Sequence, residues 1–165
     1  MTAASVYIHE IFVSIQGEGR YIGQPSIFVR MSGCNLRCKW GDTPCDTAYT
    51  SWEATGEMLD IATVMARVSE LHNDHSHVDH LVITGGEPML QKETPALMAG
   101  LCDDGYTVLL ETSGAHDLTG LDPRVHRIID LKCPASGEHE RNHWANFQDL
   151  RLPDQIKAVI ATRDD

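Results

Sequence analysis

No run of apolar residues in this chain approaches the roughly 18 consecutive positions that carry a helix across a bilayer. The opening "MTAASVYIHE" has neither the basic start nor the apolar stretch of a signal peptide. Internal repeats and low-complexity tracts are missing too. Positive charge is scarce: 13 Lys and Arg stand against 24 Asp and Glu, a formal net charge of −11 with His neutral. That balance argues against non-specific nucleic-acid binding and against attraction to anionic membranes. It leaves an anionic substrate open, since one buried arginine can set a local field against the global sign. The expected compartment is the cytoplasm. Thiols there stay reduced, so clustered cysteines read as metal-binding or catalytic before they read as disulfides.

At 165 residues the expectation is one domain, residues 1–165, with a single sizeable core. "SVYIHEIFVSI" mixes β-branched and apolar residues in near alternation, which predicts a strand followed by a "QGEG" turn. "PSIFVRM", 25–31, is a second strand. Apolar residues at 58, 61, 62, 65 and 68 predict a helix over 55–72. Beyond it, "DHLVITGG", "YTVLLETSG", "HRIIDLKCP" and "DQIKAVIA" read as strands, and "ETPALMAGLCDDG" and "ERNHWANFQDL" as helices. Strands alternating with helices imply a mostly parallel sheet. The chain stops at "ATRDD", just after a strand, where an α/β pattern calls for a covering helix. Either a partner covers that strand or the sequence is a fragment.

The densest chemical signal lies in "SGCNLRCKWGDTPCDTAYTSW", where Cys34, Cys38 and Cys45 fall within twelve positions. Three thiolates can hold three irons of a 4Fe–4S cubane and leave the fourth iron open to a small chelating molecule. A zinc site with a fourth ligand from elsewhere is the alternative. Zinc loops, however, favour about two to four residues between ligands and usually come as two pairs. Buried structural thiols are the third account. Arg30 is the other notable residue, because its strand neighbours are apolar. An arginine there is costly unless paired, and its fork suits a carboxylate or a structural ion pair with a nearby acid.

"GCNLRC", then "CDT" and "TGGEP", resemble the radical S-adenosylmethionine (SAM) enzymes. Together, "SIQGEG", "FVRMSGCNLRC", "CDTAYTSW", "ETSG" and "DLKCPASG" resemble the 7-carboxy-7-deazaguanine synthase family, from about residue 8 onward. The resemblance implies a partial (β/α)6-type radical SAM barrel with a mostly parallel sheet, cut short in its C-terminal part. One feature departs from the pattern. The usual superfamily spacing puts the third cysteine at position 41, where Gly41 stands. Keeping that spacing loses a ligand. Inserting "GDTP" takes Cys45 as the ligand and restores Cys45-Asp46-Thr47 with "AYTSW" in register. Loops tolerate insertion at small entropic cost, so Cys45 is the expected ligand, with Trp40 and Pro44 shaping the wall of the loop.

The resemblance also implies the chemistry. SAM chelates the open iron, an external one-electron reductant feeds the cluster, and a 5′-deoxyadenosyl radical takes a hydrogen from 6-carboxy-5,6,7,8-tetrahydropterin. Ring contraction with loss of ammonia gives 7-carboxy-7-deazaguanine, a precursor of queuosine- or archaeosine-type bases, and SAM is regenerated. By the same resemblance, SAM lies against Pro44, Asp46, Gly85, Gly86 and Glu87, against Glu111, Thr112 and Ser113, and against Lys132 and Ser136. The pterin is expected at Ile15, Gln16, Gly17, Arg30 and Thr84. Mg²⁺ is expected on Thr47, or on Thr43 under the rigid spacing, and a homodimer is the expected assembly.

Some features carry less. "LHNDHSHVDH" holds four of the nine histidines, but neither a helix nor a strand places them on one side. Cys102 and Cys133 read as ordinary buried thiols. Two other functions stay open at this level. One is a small activase that makes a glycyl radical on a protein partner. The other is a non-catalytic metal-binding homologue, for which Gly41 and the abrupt C-terminus speak.

Overall fold

A computed structural model describes residues 4–165 as an open seven-stranded sheet backed by helices, with a small two-stranded hairpin beside it. Strand β1 (Ser5–Ile15) pairs antiparallel with β2 (Pro25–Met31) and with β5 (Glu57–Asp60). From β2 onward the sheet is parallel, running through β6 (His80–Gly85), β7 (Thr107–Thr112), β8 (His126–Asp130) and β9 (Gln155–Lys157). The hairpin is β3 (Lys39–Trp40) with β4 (Thr43–Pro44), followed by the short helix α1 (Ala48–Ser51). Helices α2 (Ile61–Asp74) and α3 (Thr94–Asp103) precede β6 and β7. The expected mostly parallel α/β sheet is therefore present, and among the described residues it does not close into a barrel.

The parallel strands read as near-continuous apolar runs because both of their faces are buried. On one face Ile27, Val29, Leu81, Ile83 and Leu110 pack with Leu97, Met98 and Leu101 of α3 and with Val64 and Val68 of α2. On the other, Phe28, Val82, Leu109 and Ile128 form a smaller cluster with Phe12 and Tyr21. The carboxyl ends of the strands carry polar residues: Arg30, Thr84, Glu111 and Asp130. The parallel register sets Arg30 opposite Thr84 and Glu111 opposite Ile128.

Three expectations change in the structure. The helix predicted from residue 55 begins at Ile61, because residues 57–60 pair as β5 with Ser5–Ile8. Asp60 then caps the helix by accepting a bond from Thr63 N–H at 2.7 Å. The helix predicted over 140–150 shrinks to α4 (Ala145–Gln148), with a 3₁₀ turn at His139–Arg141 before it. Its buried asparagines bind loop backbone instead. Asn142 Nδ2 donates to Lys132 O and His139 O, and Asn146 Nδ2 donates to Gly114 O and His116 O. The strand predicted from "DQIKAVIA" is limited to Gln155–Lys157.

Asp154 anchors that last strand. Its side chain is fully buried, accepts from Arg127 N–H at 3.0 Å and from Nε at 2.9 Å, and pairs with Arg151. Burial pushes this carboxyl up, but the bonds from Arg127 and Arg151 outweigh it and hold it below the usual carboxylate range. A depressed carboxyl of this kind contributes stability above its unfolded value of 3.8, and that stability is lost as pH falls through the lower folded value. Asp154→Ala leaves the buried Arg127 guanidinium with only Asp149, through its carbonyl and a 3.6 Å carboxylate contact, and is expected to cost about 3–5 kcal/mol in urea unfolding at neutral pH. The variant should also lose part of the acid dependence of stability seen in the parent. A loss below about 1 kcal/mol would mean that the pair is solvated.

Candidate functional site

The cysteine loop leaves β2 at Met31 and is gripped by backbone from two sides. Gly33 N–H donates to Thr50 O at 2.8 Å and Cys34 N–H to Ser51 O at 3.0 Å, so α1 supports one flank. Gly86 N–H donates to Met31 O at 3.1 Å and Glu87 N–H to Gly33 O at 2.9 Å, so the end of β6 supports the other. Only glycine permits the second contact. A Cβ on residue 86 would sit 2.1 Å from Gly33 O and 3.2 Å from Cys34 Cβ. The glycines of "TGGEP" therefore dock one backbone onto another, and the Gly86 and Glu87 amides are used in doing so.

The segment between the second and third cysteines is the β3–β4 hairpin, with Lys39 opposite Pro44 and Trp40 opposite Thr43. Its two-residue turn is Gly41-Asp42, and Gly41 has φ +62°. Cys45 N–H donates to Cys38 O at 3.1 Å, so the excursion returns the third cysteine to the side of the second. Position 41 is the hairpin tip, with nothing within 4 Å of where a Cβ would stand. Cys34, Cys38 and Cys45 line a single cavity of about 580 Å³, and Gly41 does not. Among the described residues no group of three His, Cys, Asp or Glu converges on one point as a single ion requires. A cubane spreads its thiolates over three irons and needs no such convergence.

Burial raises the thiol pKa values of Cys34 and Cys38, that of Cys38 to about 11, with Lys132 pulling the other way. Lys132 sits at the cavity wall with its Nζ 2.9 Å from Asp130 Oδ2. Burial disfavours the Lys132 charge, but Asp130 and the neighbouring cysteines more than offset this and leave its pKa raised. Cys45 Sγ lies 3.4 Å from Thr47 Oγ1 and 3.6 Å from Asp46 Oδ1, and Pro44 adjoins them on the same wall.

Across the cavity, Glu111 joins two elements. Its Oε1 accepts from Gln16 Nε2 at 2.9 Å and its Oε2 from Thr84 Oγ1 at 2.8 Å. One N–H of Gln16 is therefore already committed. Ile15, Gly17, Gly85, Gly86, Thr112 and Ser113 also border the cavity. Arg30 borders it as well. Its Nε donates to Glu10 Oε1 at 2.8 Å, and its guanidinium lies 5.5 Å from the centre of the Phe12 ring. The ion pair considered from sequence is thus present, from the residue directly opposite on β1.

Two expected residues lie outside the cavity lining. Glu87 is fully buried behind it, accepting from Met89 N–H, Thr112 Oγ1 and Ser113 N–H at 2.7–2.9 Å. Ser136 is buried and donates to Cys133 O at 2.7 Å. In exchange, the cavity takes in Glu18, Asp130 and Lys157, none of them singled out from the sequence. Lys157 Nζ meets Glu18 Oε2 at 2.5 Å. Asp130 and Lys157 end neighbouring strands at the same carboxyl edge as Thr84 and Glu111, and that position was the available signal. Two buried polar atoms of lining residues lack a partner among the described residues: Asp130 Oδ1 and Trp40 Nε1. Cys102 and Cys133 are buried away from the site, and His72 Nδ1 contacts Val78 O at 3.1 Å. Among the described residues no helix is long and apolar enough to cross a membrane.

Comparison with known proteins bears on this arrangement. Residues 28–134 match the model of the Radical SAM superfamily. The chain is 44% identical to the 7-carboxy-7-deazaguanine synthase of Chlorobaculum tepidum over 99% of its own length and 71% of that protein's. It is 42% identical to the synthase of Koribacter versatilis (96% and 66% covered) and 41% identical to that of Halobacterium salinarum (96% and 60% covered). It thus spans 60–71% of the length of these three relatives. The crystal structure of QueE from Escherichia coli superposes with a TM-score of 0.65 at 20% identity, covering 94% of this chain and 84% of that one.

Two glycines should behave differently on substitution. Gly86→Ala forces a methyl into Gly33 O and is expected to lower stability by about 1–3 kcal/mol and to expose Cys34 to thiol reagents. Gly41→Ala meets open space and should cost only about 1 kcal/mol, from its positive φ. Thermal melts with quantitative alkylation check both. Equal effects would show that β6 does not brace the loop.

Proposed function

This chain belongs to the 7-carboxy-7-deazaguanine synthase family of the radical SAM superfamily, and we propose that it performs that family's ring contraction. The reaction converts 6-carboxy-5,6,7,8-tetrahydropterin to 7-carboxy-7-deazaguanine with loss of ammonia, in the making of queuosine- or archaeosine-type bases. One observation carries the reading. Three cysteines from one loop and the polar carboxyl ends of the parallel strands face the same cavity.

The donor set suits the implied cofactors. Three soft thiolates and no fourth match a cubane with one open iron. With SAM bound, such a cluster supplies the one-electron chemistry that opens a C–H bond of the substrate. Cys34, Cys38 and Cys45 would hold the cluster, and Lys132 beside them offsets thiolate charge. Pro44, Asp46, Gly85, Gly86, Thr112, Ser113 and Lys132 would form the SAM side. Glu87 serves it indirectly, tying "TGGEP" to "ETSG" through Thr112 and Ser113.

Gln16, Gly17 and Thr84 would form the pterin side, with Ile15 at its edge; Glu111, expected against SAM, joins them here because its carboxylate accepts from Gln16 and Thr84. The bonds from Gln16 and Thr84 to Glu111 set that carboxylate in place before any ligand arrives. Arg30 pairs with Glu10 through Nε, which leaves its two terminal nitrogens for a bidentate substrate carboxylate. Thr47 would offer its hydroxyl to Mg²⁺, an ion that accepts one protein oxygen among waters and substrate oxygens. A homodimer belongs to the same proposal, as does an external one-electron reductant. An activase acting on a protein would have little use for Arg30 or the Gln16–Glu111 pair.

Anaerobic reconstitution, followed by incubation with SAM, reductant and carboxytetrahydropterin, should yield the absorbance of a deazapurine. SAM cleavage without that product would favour the activase. Cys45→Ala is expected to abolish the cluster's charge-transfer absorbance, which Gly41→Ala retains; the reverse would hand the third ligand site elsewhere. Arg30→Ala should weaken pterin binding at least about tenfold, the order of a lost charge-assisted pair, while SAM cleavage without substrate persists. Equal loss of both would make Arg30 a strut for β1.

A further inference from the structure

The turn that joins β1 to β2 is anchored at two points, and only one of them borders the cavity. At the cavity, Gln16 is buried and bonds Glu111. At the other point, a 3₁₀ turn over Gly19–Tyr21 brings the Tyr21 ring against His80 and His126, the first residues of β6 and β8. The ring centroids lie 5.3 Å and 5.7 Å away, and the Tyr21 hydroxyl sits 2.7 Å from His126 Nδ1. Tyr21 is not part of the cavity lining. It packs instead against the apolar cluster of Phe28, Val82, Leu109 and Ile128, of which Phe28 also lines the cavity.

Backbone bonds carry the position of Tyr21 to Gln16 in two steps. Gln24 N–H donates to Tyr21 O at 3.0 Å, and Gln16 N–H donates to Gln24 O at 2.8 Å. Gly23 N–H returns a bond to Gln16 O at 2.8 Å and closes the turn. A contact that fixes Tyr21 therefore limits where the Gln16 amide can stand. The other ties of this turn, Glu18 with Lys157 and Arg20 N–H with Gln155 Oε1, are more exposed and hold it less firmly.

We propose that Tyr21 is a positioning residue for the pterin: its hydroxyl donates to His126 Nδ1, and this clamp at the amino ends of β6 and β8 holds the Gln16 amide against Glu111. The proposal rests on the reading of Gln16 and Glu111 as the pterin side. Burial holds the His126 imidazole below its ordinary value of 6.5, so the ring is neutral at neutral pH and Nδ1 can accept. Asp154 pulls the other way, while Arg151, His80 and Arg20 favour the neutral ring further. A proton on Nδ1 removes the acceptor. The affinity that depends on this bond is therefore complete above 6.5 and declines as pH falls through the lower His126 value.

The test is pterin affinity, measured by equilibrium dialysis on anaerobically reconstituted protein with SAM bound, with SAM affinity recorded alongside. Tyr21→Phe keeps the ring between the two histidines and removes the hydroxyl. At neutral pH it should weaken pterin binding about 3- to 10-fold, the worth of one net hydrogen bond. KM should rise by a like factor with kcat and SAM affinity little changed. His126→Leu should match it, and the double variant should lose no more than either alone. His126→Gln offers the hydroxyl an amide oxygen. It should keep affinity within about twofold of the parent and erase the acid decline, and it serves as the control if leucine disturbs the sheet. Affinity within about twofold of the parent in Tyr21→Phe would overturn the proposal and leave Tyr21 as packing. Additive losses in the double variant, or equal loss of SAM and pterin binding, would overturn it as well. Failure of the parent to bind pterin, with cluster and SAM in place, would overturn the reading of the cavity and the proposal with it.

Discussion

Two backbone hydrogen bonds, from Gly86 to Met31 and from Glu87 to Gly33, join the end of β6 to the root of the cysteine loop. The approach is so close that a methyl group on residue 86 would overlap the Gly33 carbonyl. Everything at the site is referred to this junction. It sets where Cys34 leaves the sheet, and α1 secures the loop from the far side through Thr50 and Ser51. Glu87 extends the junction to β7 by accepting from Thr112 and Ser113, so the loop, β6 and β7 are tied together. A site built on backbone contacts between strand ends is stiffer than one built on exposed loops, which is what ligand geometry at a cluster demands.

Cations and carboxylates are interleaved around the cavity: Arg30, Lys132 and Lys157 line it together with Glu18, Asp46, Glu111 and Asp130. A chain of net charge −11 gathers Arg30, Lys132 and Lys157 around one pocket, each with a carboxylate partner: Glu10, Asp130 and Glu18. Pairing lets these cations survive partial burial and fixes their direction. A ligand with carboxylate groups therefore meets oriented donors instead of a diffuse positive field. Asp130 Oδ1 and Trp40 Nε1 are buried and without a hydrogen-bond partner among the described residues.

Much of this was legible in the residues. The strand runs at 5–15 and 25–31 have the bounds read from the sequence, the first from its near alternation and the second from a continuous apolar run of a strand buried on both faces. Likewise, the order of "GCNLRC", "TGGEP" and "ETSG" pointed to one edge of a sheet, since parallel strands deliver their carboxyl ends to the same side. The failures have local causes. Residues 55–60 keep helical spacing, yet the edge of β1 offered Glu57–Asp60 a strand partner, a gain that no window on those residues can register. Asn142 and Asn146 look neutral in a helix but spend their side chains on Lys132 and Gly114 backbone, cutting that helix to four residues.

The clustering of three cysteines in one short segment, the kinds of side chain at the strand ends and the class of fold were legible in residue types and their order, because those depend on composition and short-range periodicity. Which side chains share a cavity was settled by distance relations across the sheet. Glu87 faces away from the space its motif borders, since Thr112 and Ser113 on the next strand claim its oxygens. Lys157 reaches Glu18 across 139 positions of chain. The gap between Cys38 and Cys45 is bridged because Gly41 can take the positive φ of a hairpin turn, and a backbone bond from Cys45 to Cys38 closes the excursion. Spacing along a chain counts bonds; only the folded backbone converts that count into proximity.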